Sequence, residues 1–165
     1  MSDMAREGLF ASLAAAVQGA RVLDLFAGTG AVGIEALSRG AEEAVFVERA
    51  GSAANAVRDN LQRARLDGSG RVERADVRRW LTSHVGTQGV FDLVALDPPY
   101  DLAGAPLEAV LSALDGGWLA PEGWTVILTR GHNSSLPAVP VHWAVRRQLR
   151  YGDSLLTLYR EERWA

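Results

Sequence analysis

Short apolar runs alternate with helix-like stretches along nearly the whole chain, and this alternation limits the fold more than any other feature. "RVLDLF" (21–26), "EAVFVE" (43–48), "RVERAD" (71–76), "FDLVALD" (91–97) and "WTVILTR" (124–130) read as strands. "AVGIEALSR" (31–39), "SAANAVRDNLQRARL" (52–66), "VRRWLTSH" (77–84) and "PLEAVLSAL" (106–114) read as helices between them. Residues 3–18 place Leu9, Leu13 and Val17 at helical spacing, with Ser2 or Asp3 as N-cap. At the end, "HWAVRRQLR" (142–150) and "SLLTLYR" (154–160) flank the turn signal "YGD", a β-hairpin pattern. Strands separated by helices predict an α/β fold: a parallel sheet covered on both faces. Right-handed crossovers then bring the strand C-termini to one edge, where ligands bind. At 165 residues, one domain spanning 1–165 is expected.

Four polar signals fall at predicted strand ends. In "DLFAGTGAVG" (24–33), Gly28, Gly30 and Gly33 stand in G-x-G-x-x-G register between a strand and a helix. Such glycines admit a ligand close to the backbone. Glu48 ends the next strand, where an acid can bind ribose hydroxyls. Asp76 follows the third. Its carboxylate suits an adenine amino group and the Val77 N–H a ring nitrogen, although Asp76 also reads as a helix N-cap. The glycines alone do not settle which nucleoside cofactor binds. Asp24 and the bulky Phe26 precede the first glycine, which favours a loop wrapping an amino-acid tail, as on S-adenosylmethionine.

"DPPY" (97–100) is the sharpest signal. Pro98 and Pro99 have fixed φ and no N–H, so the segment is rigid and rich in acceptors. The Asp97 carboxylate and the Pro98 carbonyl can both accept from one –NH₂ group. Tyr100 offers a face for a planar base. An aromatic amine is a poor nucleophile because its lone pair is conjugated into the ring. Two acceptors holding its hydrogens draw the nitrogen toward tetrahedral geometry and aim the lone pair at an electrophilic methyl. Asp97 stabilises the charge that develops on nitrogen.

Composition excludes several classes. Cys is absent, which removes disulfides, thiol chemistry and the usual structural zinc ligands. His84, His132 and His142 lie in separate segments without ligand spacing, so no metal is expected. Trp80, Trp118, Trp124 and Trp143 read as core or rim packing. No apolar run is long enough to span a membrane and no leader pattern stands at the N-terminus, so a cytoplasmic location is expected. The net charge of −3 does not advertise a nucleic-acid binder, so any grip on one must come from local arginines.

Taken together, "SDMAREGLF" (2–10), "VLDLFAGTGAVGIEALSRGA" (22–41), "FVER" (46–49), "DNL" (59–61), "FDLVALDPPY" (91–100) and "RYGDSLLTLYR" (150–160) resemble the RsmD-type family. These are bacterial small-subunit (16S) rRNA guanine-N2 methyltransferases, within the class I S-adenosylmethionine-dependent methyltransferases. The resemblance implies a Rossmann-like, seven-stranded, mostly parallel sheet ending in an antiparallel hairpin. It implies S-adenosylmethionine as cofactor, with S-adenosylhomocysteine as product and no metal. Asp24, Phe26, Ala27, Gly28, Thr29 and Gly30 go to the cofactor's methionine end and loop. Glu48 and Arg49 go to the ribose side, and Asp76 and Val77 to the adenine. Asp97, Pro98, Pro99 and Tyr100 go to the target guanine. The expected partner is small-subunit rRNA, free or in a partly assembled particle, with a monomeric enzyme and no membrane.

Two departures stand out. Family members usually begin with a basic hairpin and an Arg-Pro-Thr segment ahead of "SDMAREGLF"; the given sequence starts without them, so weaker RNA grip is expected. Arg146, Arg147 and Arg150 in the final hairpin then form the densest basic group expected near the active edge, with Arg78 and Arg79 next. The family often carries Glu near the end of the fifth strand, where this chain has Thr129-Arg130, a difference given no weight. DPPY is shared with DNA adenine and cytosine amino-methyltransferases, but the chain has no room for a target-recognition domain. A nicotinamide-dependent oxidoreductase leaves DPPY unexplained. A non-catalytic RNA-binding or ribosome-assembly factor leaves Asp97 and Tyr100 without use.

Overall fold

A computed structural model describes residues 1–163; the last two residues of the expected 1–165 domain lie outside the described residues. In chain order the elements are α1 (Asp3–Leu13), β1 (Arg21–Leu25), α2 (Ala31–Ser38), β2 (Glu43–Glu48), α3 (Gly51–Arg63), β3 (Gly70–Arg74), α4 (Val77–Ser83), β4 (Leu93–Leu96), α5 (Ala105–Asp115), β5 (Thr125–Gly131), β6 (Trp143–Tyr151) and β7 (Ser154–Glu161). The strands form one sheet in the order β3-β2-β1-β4-β5-β7-β6. β1 to β5 run parallel, and β7 is antiparallel to both β5 and β6. This is the Rossmann-like class I methyltransferase arrangement, with its terminal hairpin inserted beside β5.

Strict alternation along the central strands supplies two cores. Leu23, Leu25, Val45, Val47, Val94, Leu96, Val126 and Leu128 face α4 and α5. Val22, Ala44, Phe46, Leu93, Ala95 and Ile127 face α1, α2 and α3. All four tryptophans named above are buried on the first face.

The expected helix over 3–18 is shorter than its pattern. Ser2 caps α1 by accepting from the Ala5 N–H at 3.1 Å. Ala14, at φ 48°, then ends the helix, and a 3₁₀ turn over Ala14–Val17 carries Val17 to the core. The spacing of Leu9, Leu13 and Val17 thus reported burial correctly but not continuous α-helix. In β6, a bulge between Val145 and Arg147 reverses the alternation. Trp143 therefore joins the first core while Leu149 packs on the second, although both are odd-numbered.

Candidate active-site cleft

β1 lies between β2 and β4, so the chain leaves β1 to one side and β4 to the other. A crevice opens at such a switch point, beyond the strand C-termini. The register Leu25↔Val47 and Leu25↔Leu96 brings the next residues of three strands to one height: Phe26, Glu48 and Asp97. A cleft of about 720 Å³ opens there, within the range of small-molecule sites. Asp24, Phe26, Ala27, Gly28, Thr29, Glu48, Arg49, Asp76, Val77, Asp97 and Pro99 all line it.

The glycine loop is held by its neighbours. Glu48 accepts from the Gly28 N–H at 2.9 Å with Oε1 and from the Ala50 N–H at 2.8 Å with Oε2. Each oxygen keeps a lone pair for a ligand hydroxyl. Phe26 sits at φ 56°, a left-handed conformation that a bulky residue adopts only where its surroundings impose it.

The three glycines do different work. Gly28, at φ +58°, has open space where a Cβ would stand, so a ligand can approach its backbone. Gly30, at φ +84°, caps α2 in the left-handed region. Gly33 is a packing residue: a Cβ there would overlap the Phe46 ring, with Cζ only 2.7 Å away. Gly33→Ala is therefore expected to destabilise the fold by about 1–3 kcal/mol through overpacking. A thermal melt at fixed pH checks this, and an unchanged Tm would remove the packing role.

Asp24 is buried, and its Oδ2 accepts from the Gly33 N–H at 3.0 Å. Burial pushes its carboxyl up to about 7, against the Gly33 hydrogen bond, and the nearby Asp97 and Glu48 charges raise it further. Desolvation also raises the Asp97 carboxyl, while the N-terminal amino group and Arg130 draw it back down. Asp76 is not part of β3. It is the N-cap of α4, accepting from the Arg79 N–H at 3.0 Å, and it lines the cleft as well, so its two readings coexist.

In DPPY, Pro98 is buried, whereas Asp97 and Pro99 reach the cleft. The Pro99 carbonyl accepts from the Leu102 N–H at 2.9 Å and from Arg130 Nη1 at 3.4 Å. That turn holds Tyr100 out at 90% exposure. Asp101 and Leu102 also line the cleft and were not expected. The only sequence signal for them was their position directly after DPPY.

The arginines do not gather as expected. Arg78 and Arg79 follow Asp76 on α4, beside the cleft. β6 runs in the direction of β5, so its start lies at the edge opposite the cleft. Arg146 is there, donating to the Glu161 carbonyl at 3.0 Å beside a hollow formed with Trp124 and Arg160. Arg147 is level with Ile127, in the middle of the sheet, and only Arg150 reaches the height of Arg130. Pattern alone could not show this, because three arginines within five residues of a strand span much of its length.

The family model described as conserved hypothetical protein 95 matches residues 1–160. The ribosomal RNA small subunit methyltransferase D of Escherichia coli (strain K12) is 35% identical over 162 residues, covering 98% of this chain and 78% of that protein. The chain belongs to the RsmD-type family of class I methyltransferases. The solved structure of the Escherichia coli protein yhhF matches with a TM-score of 0.85 at 33% identity, covering 99% of this chain and 89% of that one. A Salinibacter ruber RNA methyltransferase, solved with S-adenosyl-L-homocysteine, has a TM-score of 0.72 at 15% identity, covering 100% of this chain and 95% of that one; it shows the fold alone. No helix among the described residues is long and apolar enough to cross a membrane. Nor do those residues include a cluster of three or more side chains able to hold a metal.

Proposed function

We propose that this methyltransferase transfers the methyl of S-adenosylmethionine to the exocyclic N2 amine of a guanine in small-subunit rRNA. The charge of the cleft carries the cofactor assignment. Asp24, Glu48, Asp76, Asp97 and Asp101 line it against the cations of Arg49 and the N-terminal amino group. Five carboxylates suit a ligand bearing an ammonium and a sulfonium and repel the pyrophosphate of a nicotinamide dinucleotide. S-adenosylmethionine supplies an electrophilic methyl on a positively charged sulfur.

The protein's residues divide the remaining work. Asp24 and the Gly28 backbone take the amino-acid end. Glu48 accepts from the ribose hydroxyls, while Asp76 and the Val77 N–H take the adenine. Asp97 and the Pro98 carbonyl accept the two hydrogens of the target amine and orient its lone pair. Tyr100 stacks on the base, which must leave its own stack to reach the cleft. As the nitrogen–carbon bond forms and the sulfur–carbon bond breaks, Asp97 balances the positive charge growing on nitrogen. The proton then leaves that nitrogen for the carboxylate or water.

The rRNA assignment rests on the family and on the name of the Escherichia coli relative. Its test is nucleoside mass spectrometry of small-subunit rRNA after incubation, naked or in a preassembled particle, with this protein and labelled cofactor. Label in N2-methylguanosine supports the reading; label in another nucleoside, or in DNA alone, rejects it.

Glu48→Ala removes the ribose acceptor and the clamp on Gly28. Cofactor affinity is expected to fall roughly ten- to a hundredfold, as for a lost hydrogen bond to a charged group of about 1.5–3 kcal/mol. Calorimetry showing unchanged affinity would rule out this placement of the ribose.

A further inference from the structure

A second hollow, of about 640 Å³, lies between the DPPY turn, the first turn of α5 and the loop after β5. Tyr100 lines this hollow and not the cofactor cleft, whereas Pro99 lines the cofactor cleft. The DPPY turn is thus the wall between the two. Whatever adjoins a base stacked on Tyr100 lies at the hollow's mouth.

Arg130 lines this hollow half-buried. Among the described residues its guanidinium makes no ion pair, and its single hydrogen bond is the 3.4 Å contact to the Pro99 carbonyl. That uses one of five donors in a long bond. Asp97 feels the guanidinium's charge, but no carboxylate among the described residues stands within ion-pair reach, and a partly desolvated cation gains from an anion that does. Neither of the hollow's own carboxylates, Glu108 and Asp153, pairs with Arg130. Glu108 accepts from the Ala138 N–H at 3.1 Å, and Asp153 lies 3.6 Å from the His132 ring. Asn133 and Ser135, on the same loop, add polar side chains with no hydrogen bond among the described residues.

We propose that this hollow receives the phosphodiester adjoining the target nucleotide, with Arg130 as its phosphate contact. The inference rests on the RNA reading above and deepens it. Extruding a base swings it about its flanking backbone. A planar, five-donor cation immediately beyond the stacking tyrosine fixes that backbone where the swing ends. In an acidic chain one such cation matters more than its number suggests, because grip on nucleic acid follows the cations brought to phosphates and not net charge.

The test compares the wild type with Arg130→Gln and Arg130→Lys, measuring affinity for small-subunit rRNA across a salt series. Cofactor affinity of each variant, by calorimetry, reports whether the fold is kept. Arg130→Gln is expected to bind RNA about ten- to a hundredfold more weakly. Its slope of log affinity against log salt should shrink by about 0.7, the value of one single-strand phosphate. Arg130→Lys should keep the slope and lose part of the affinity. An affinity loss with an unchanged slope would mean that Arg130 only props Pro99, and no loss would leave the hollow without this role; either overturns the proposal. If the wild type transfers no methyl to rRNA, the rRNA reading fails by itself, whatever the Arg130 comparison gives.

Discussion

Replacing Asp97 with alanine is expected to cut methyl transfer roughly 100- to 1,000-fold or more while leaving cofactor affinity nearly intact. The carboxylate stands one residue beyond β4, at the height of Glu48 but on the other side of β1. In the proposed mechanism it meets the target amine and not the ribose. Its interaction strengthens only as charge develops on the target nitrogen, so its loss falls on turnover and not on cofactor binding. Asp97→Asn separates charge from hydrogen bonding: the amide still accepts one amine hydrogen but cannot balance the new charge, so most of the rate should still be lost. Single-turnover transfer at saturating cofactor and RNA, beside cofactor calorimetry, gives both numbers. A fully active Asp97→Ala protein would end the proposed mechanism.

The second large effect concerns Asp24, whose carboxyl is pushed from 3.8 up to about 7 by burial. The sign follows from proton counting. Between those two values the folded protein holds a proton that the unfolded chain has already lost. Stability therefore falls as pH rises from about 4 to about 7 and levels off above. At about 1.4 kcal/mol per pH unit the difference is at most about 4 kcal/mol. Asp24→Asn can still accept from Gly33 and does not titrate. Without cofactor, it is expected to be more stable than the wild type above pH 7 by up to that amount, with the gap closing toward pH 4. Denaturant unfolding of both proteins across this range checks it, and parallel stability curves would contradict it. At pH 8 the same variant should bind cofactor more weakly, because in the proposed reading the carboxylate that costs stability is the group offered to the cofactor's ammonium. The site would then hold a charge that the free fold does not favour, at the point where a cationic ligand repays it.

Much of this protein is local and was legible without coordinates. The near-continuous apolar runs of β1, β2, β4 and β5 bury their residues on both faces of the sheet, so each reads as a strand from composition alone. Ser2 and Asp76 cap helices through bonds to residues three positions away. Gly28, Glu48 and Asp97 could be assigned to one edge because parallel strands joined by right-handed crossovers leave no other place for their ends.

What needed tertiary structure depends on partners distant in sequence. Gly33 shares a motif with Gly28, yet it is required by the ring of Phe46 on a neighbouring strand, and nothing in G-x-G-x-x-G separates packing from ligand approach. The β6 bulge, invisible to a period-2 reading, sends Trp143 and Leu149 to opposite faces, and the direction of β6 leaves Arg146 at the edge away from the cleft. In the sequence Arg130 is only a departure from a family habit. Only the pairing of β5 beside β4 brings its guanidinium to the Pro99 carbonyl, 31 residues earlier in the chain. Sequence determined which residues could do chemistry at a strand end, because backbone geometry is set by near neighbours. The sheet's lateral order decided which of those ends meet, because inter-strand hydrogen bonds and side-chain volumes join segments whose separation along the chain carries no signal.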